Sequence, residues 1–171
     1  GSRWQLSFKA KLYEEKTGKG IHCNPKLPQY EMCPLLQLQV IKSKGTKAYV
    51  FTRDNEMRWV ANEWNTFNAT VTFTRRMLSS VKGITAGIVG GPPGSVLVLD
   101  NIIFSQLTVT KSPKSSQDEK KCNQLLTGND ASSEKNSGWF GIGSDVGTEA
   151  PGYDEKGFAY RAFHRGGWYQ G

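Results

Sequence analysis

Histidine is nearly absent from this chain: among its 171 residues, His22 and His164 are the only two. Neither stands in a Ser-His-Asp pattern or at metal-ligand spacing, which removes the commonest general bases and zinc sites. No motif nominates a pair of carboxylates held across a cleft, as a glycosidase needs. The glycines of residues 138–147 (GWFGIGSDVG) echo a phosphate loop, but no lysine-threonine pair and no strand-to-helix context follow. The residues therefore point away from an enzyme. A run of about 18 apolar residues is missing too, so no membrane span is encoded. No segment repeats its apolar residues at helical spacing. The net charge is +7 without a recognised nucleic-acid motif, and the lysines are scattered (Lys9, Lys11, Lys16, Lys19, Lys42, Lys44, Lys47). That reads as solvated charge, with no nucleic-acid partner, although it permits attraction to acidic glycans.

Cysteine is scarce, with three in the chain. Cys23 and Cys33 bracket a loop holding Pro25 and Pro28, with Pro34 just beyond. A local disulfide closing that loop is worth about 2–3 kcal/mol by loop entropy. Zinc is the competing reading, but the closely spaced cysteine pairs it favours are absent. Cys122 is left over for a partner elsewhere. Asn68-Ala69-Thr70 forms an N-glycosylation sequon. With the cysteines, it points to a secreted or cell-surface protein.

What is abundant is glycine, with 19 residues, together with β-branched and aromatic side chains. Residues 5–12 alternate, with Leu6, Phe8, Ala10 and Leu12 on one side and Ser7, Lys9 and Lys11 on the other, as in a half-buried strand. Residues 36–41 and 47–52 follow the same rule across the turn at residues 43–46, which predicts a hairpin. Residues 63–74 and 84–89 are further strands, the latter ended by the Gly90-Gly91-Pro92-Pro93-Gly94 turn. Residues 96–109 are apolar on both faces, as expected of a central strand. Residues 124–127, 139–142 and 158–164 complete the set. Many short strands between turns predict an all-β sandwich or barrel. Asp100 interrupts the long apolar strand. A carboxylate there is either a hydrogen-bonded strand-end residue or a ligand to a structural calcium ion, since leaving it bare is costly.

Several segments resemble carbohydrate-binding modules of families 4, 9 and 22. Residues 64–73 (WNTFNATVTF) resemble their "W-x-x-x-x-G-T-F-T" strand, and residues 84–104 resemble their closing hairpin, with Asp100-Asn101 in place of a paired Asp-Asp. Residues 3–12 (RWQLSFKAKL) resemble a strand from just past the middle of such modules. Residues 123–130 (NQLLTGND), Gly138-Trp139, 157–161 (GFAYR) and 168–171 (WYQG) resemble their opening. The order is rotated. Residues 3–110 match the C-terminal part of the module, residues 111–121 read as a linker, and residues 122–171 match the N-terminal part. The resemblance thus implies a jelly-roll β-sandwich of two antiparallel sheets. It is either circularly permuted or cut from a tandem array, with strands exchanged between chains.

The resemblance also implies a function. Such modules hold a polysaccharide by stacking aromatic rings on sugar faces, and they perform no chemistry on it. By resemblance Trp168 takes the place of a tryptophan lining the sugar cleft, and Trp64 and Trp139, in framework motifs, are core residues. Residues 161–171 are the candidate binding face, through Arg161, Arg165, Trp168 and Tyr169, with Trp59 and Tyr49 as further free aromatics. Asp100, Asp130 and Asp154 are the candidate ligands of a structural calcium. Gly90-Gly91 departs from the family where a sugar-contacting glutamate is usual. The expected partner is a polysaccharide or glycoprotein glycan, acidic ones included. The alternative is a structural repeat that contacts neighbouring repeats of the same protein and binds no sugar.

Overall fold

The computed structural model describes residues 1–26, 33–54, 56–107, 140–142, 146–149, 151–153, 158–163 and 167–170. They form ten strands and one short helix: β1 (Ser2–Glu14), β2 (Leu35–Lys42), β3 (Lys47–Thr52), β4 (Asn65–Phe73), α1 (Arg75–Leu78), β5 (Val81–Val89), β6 (Ser95–Leu107), β7 (Phe140–Ile142), β8 (Val146–Glu149), β9 (Ala159–Phe163) and β10 (Gly167–Gln170). The predicted strands at 5–12, 36–41, 47–52, 63–74, 84–89 and 96–109 correspond to β1 to β6. The strand expected at 124–127 lies outside the described residues. So do the linker, Trp139 and Cys122.

The strands make two five-stranded sheets. The first has the order β4-β1-β6-β9-β8 and the second β3-β2-β5-β10-β7. Every pairing is antiparallel. Strands from before and after residues 108–139 therefore lie side by side in both sheets. β9 pairs with β6, and β10 pairs with β5.

Alternation explains which faces meet. Leu6, Phe8, Ala10 and Leu12 of β1, Phe67, Ala69, Val71 and Phe73 of β4, and Leu97 and Leu99 of β6 are buried in one cluster. Leu36, Leu38, Ala86 and Ile88 of the second sheet belong to it as well. The chain is thus an all-β sandwich with its core between the sheets. Phe8 and Phe67 are direct cross-strand partners with their rings stacked, centroids 4.3 Å apart. Such a pair adds about 0.5–1.5 kcal/mol beyond area burial.

β6 buries residues on both faces, as its continuous apolar run predicts. Val96 and Val98 turn away from the main core into a smaller cluster with Ala159, against which Tyr13 and Trp64 pack. Trp64, expected in the main core, instead lies half-buried on this outer side, with the Lys11 ammonium 4.8 Å from its ring centroid. The alternation of β6 then changes phase. Leu97 and Leu99 face the core, and so do Ile102 and Phe104. A β-bulge accounts for this: Ser7 pairs with Ile103 but Lys9 with Asp100, which leaves one extra residue on β6. Asn101 takes up the bulge at φ 52°, a left-handed conformation asparagine tolerates better than most residues.

The β5–β6 turn requires glycine. Gly91 has φ +103°, and a Cβ there would stand 2.5 Å from Ser95 Oγ and 2.9 Å from Leu12 Cδ2. At Gly90, φ +136°, a Cβ would approach Pro34 Cα to 2.9 Å. The position where the resembling modules carry a glutamate therefore has no room for one. Helix α1 is a single turn, too short for a periodic pattern. Thr74 caps it, its Oγ accepting from the Met77 N–H at 3.1 Å. Among the described residues no helix is long and apolar enough to cross a membrane.

Cys23 and Cys33 form the disulfide predicted from the loop they bracket. Cys33 is buried in the main core with Cys23 packed against it, so the bridge fixes the chain entering β2.

Candidate functional site

The outer face of the second sheet carries the most exposed aromatic pair of the described residues. Tyr49 and Phe51, alternate residues on edge strand β3, are 50% and 47% exposed. Their rings stack with centroids 6.5 Å apart and planes 16° apart. They stand out because the neighbouring alternate residues, Ala48 and Val50, are partners of the core-facing Val40 and Leu38. Strand period two thus puts both rings on the solvent side.

The ladder sets polar residues beside them. Tyr49 pairs with Gln39, and Phe51 with Gln37. The Gln39 side-chain amide donates to the Tyr49 hydroxyl at 2.9 Å. This fixes the ring's direction and leaves the hydroxyl proton available for donation. Across β5, Gln39 pairs with Thr85 and Gln37 with Gly87. Gly87 in turn pairs with Tyr169, and Tyr169 with Phe140. One register row therefore crosses all five strands: Phe51, Gln37, Gly87, Tyr169 and Phe140. The glycine in its middle brings no side chain. Flat rings beside amides and hydroxyls suit the face of a sugar, whose C–H surface seeks apolar contact and whose hydroxyls seek donors and acceptors.

The other residues nominated from sequence are distributed differently. Trp168 pairs with Ile88, which pairs with Leu36, so it stands in the register row of these two core residues. Arg161 lies on β9 in the first sheet, opposite Val98. The segment 161–171, expected to act as one edge, is thus divided between the sheets, with Arg161 in one and Trp168 and Tyr169 in the other. Arg165 lies outside the described residues. Trp59 is no free aromatic: it is 7% exposed within the core cluster, and its indole N–H donates to the Ile21 carbonyl at 2.8 Å. Phe51, Gln37 and Gln39 were not nominated from sequence. Their signal was the outward half of the alternation that predicted the hairpin.

Asp100 is 6% exposed. Its Oδ1 accepts from the Asn101 backbone N–H at 2.7 Å, and its Oδ2 from the Tyr153 N–H at 2.7 Å. Of the two sequence readings, this arrangement fits the hydrogen-bonded aspartate at an irregular point of the strand. Asp130 and Asp154 lie outside the described residues. Among those described, no group of three or more His, Cys, Asp or Glu could hold a metal ion. Both oxygens of Asp100 are thus engaged by N–H donors, whereas calcium takes six to eight oxygen ligands.

Around Asp100 the outer face of the first sheet is lined by cations on rings. The Lys9 ammonium sits 4.5 Å from the Tyr153 centroid and donates to Thr66 Oγ1 at 2.7 Å. Tyr153 meets Trp64 edge to face at 5.9 Å. These lysines serve as lids over apolar surface, their stems covering it and their heads reaching water.

No family model, curated protein or solved structure matches the chain.

Proposed function

We propose that this protein is a non-catalytic glycan-binding module of an extracellular protein, and that it holds a polysaccharide on the outer face of its second sheet. The observation that carries the reading is the half-exposed Tyr49–Phe51 pair, with Gln39 orienting Tyr49 and Gln37 beside Phe51. Tyr169 of β10 falls in the same register row. The resemblance to carbohydrate-binding modules of families 4, 9 and 22 supports the same class of ligand, and the adjacency of late strands to early ones supports its permuted or strand-exchanged jelly roll. The disulfide accords with an oxidising, extracellular setting.

The test is retention of the purified chain on immobilised neutral and acidic polysaccharides, run in calcium and again in chelator. Selective retention that survives moderate salt, and is lost in Tyr49→Ala/Phe51→Ala, supports the reading. Retention abolished by salt, or unchanged in the double variant, overturns it. The chelator arm reports separately on calcium.

A structural repeat is the second reading. The β5–β6 turn favours it, because Gly90 and Gly91 bring no sugar-contacting side chain. It predicts no retention on any polysaccharide and association with neighbouring repeats through the same exposed edge strand.

A further inference from the structure

Asn68-Ala69-Thr70 is the single Asn-x-Ser/Thr sequon of the sequence, and its middle residue is not proline. It sits in β4, an edge strand of the first sheet. The burial of β4 alternates strictly: Phe67, Ala69 and Val71 are buried, while Thr66, Asn68, Thr70 and Thr72 are exposed. Strand geometry thus turns the acceptor amide and the hydroxyl two residues on toward solvent, and spends only Ala69 on the core. The backbone agrees. The Asn68 N–H is not used in the ladder to β1; it donates to Asp54 Oδ2 at 2.8 Å, on the open side of the strand. Asp54 also accepts from the Glu56 N–H at 3.1 Å, so a turn rather than another strand borders this edge. A bulky substituent on the Asn68 side chain displaces no buried group.

We propose that Asn68 is an N-glycosylation site of this protein. The Asn68 amide nitrogen forms a bond to the anomeric carbon of an oligosaccharide carried on a polyisoprenoid pyrophosphate. The carbon–oxygen bond to the pyrophosphate breaks, the lipid pyrophosphate leaves with the bonding pair, and the amide loses one proton. The disulfide Cys23–Cys33 accords with the oxidising route that carries this donor. The attached glycan stands on the sheet opposite the Tyr49–Phe51 face, so the assignment is independent of polysaccharide binding. Bulky, solvated sugar on an edge strand also blocks strand-to-strand association.

The test is expression of the whole chain through a eukaryotic secretory pathway, followed by peptide-N-glycosidase and peptide mass spectrometry. The expected result is a mass loss on digestion with Asn68 read as aspartate, retained in Thr70→Ser and abolished in both Asn68→Gln and Thr70→Ala. Because both side chains face solvent, all three variants are expected to be secreted with a wild-type melting profile. A secreted, disulfide-bonded wild-type chain with no glycosidase-sensitive mass overturns the proposal, as does a mass loss that persists in Asn68→Gln.

Discussion

Asp100 Oδ2 accepts the backbone N–H of Tyr153 at 2.7 Å, joining two points 53 residues apart in the chain. Its other oxygen accepts the N–H of Asn101, the residue at the bulge of β6. One buried carboxylate thus satisfies a donor that the irregular ladder leaves over and anchors the segment that lies over the outer face of the first sheet. Replacing Asp100 with Ala strands both donors. Each buried unsatisfied group costs about 1–3 kcal/mol, so D100A is expected to lose roughly 3 kcal/mol in a urea titration. D100N retains one acceptor oxygen and falls between.

The bulge makes its own demand on the next residue. At φ 52°, Asn101 occupies a conformation that costs an ordinary residue about 1–2 kcal/mol and glycine almost nothing. Asn101→Val is expected to destabilise by about that amount, whereas Asn101→Gly stays within about 0.5 kcal/mol of wild type. A thermal denaturation series with both variants separates backbone strain from lost side-chain contacts.

The β5–β6 turn tolerates less. Gly91→Ala must place a methyl 2.5 Å from Ser95 Oγ and 2.9 Å from Leu12 Cδ2 at φ +103°. Positive φ and overpacking add, and a loss of about 3 kcal/mol or more follows. Far-ultraviolet circular dichroism with temperature reads it directly.

The exposed pair behaves oppositely. Tyr49→Ala and Phe51→Ala remove rings that are about half in water, so stability is expected to shift by less than about 1 kcal/mol. Retention on the polysaccharide should fall roughly tenfold per ring, as the loss of about 1.4 kcal/mol of stacking contact implies. Affinity electrophoresis paired with melting curves measures both quantities on the same samples.

Reduction of the Cys23–Cys33 bridge releases a loop of modest length. The loss expected is about 2–3 kcal/mol, equal in reductant and in the double alanine variant once the small packing change at buried Cys33 is allowed for. Retention at the Tyr49–Phe51 face should survive, since the bridge touches the core side of the sandwich.

The hairpin of β2 and β3 was legible because its determinants are local: alternation on either side of the Ser43–Thr46 turn fixes both strands and their register. The continuous apolar run of β6 likewise foretold a strand buried on both faces. Burial of Trp59 was not legible, because its indole answers to the carbonyl of Ile21, 38 residues away. The phase change in β6 depends on which β1 residue stands opposite, and nothing within β6 announces it. β8 and β10 are four residues each, too short for alternation to rise above chance. The division of Arg161 and Trp168 between sheets followed the same blindness: adjacency in sequence says nothing about which sheet a short strand joins.

The pairing of β9 with β6 and of β10 with β5 has a consequence for how the molecule comes into being. A growing chain can assemble β1 to β6 first, and then shows water two neighbouring bare edges, on β5 and β6. Closure waits for strands made later, across contacts of long sequence separation, which slows folding. Throughout that interval any other copy nearby offers the same missing strands, and whether they arrive from the same ribosome or the next one becomes a question of concentration.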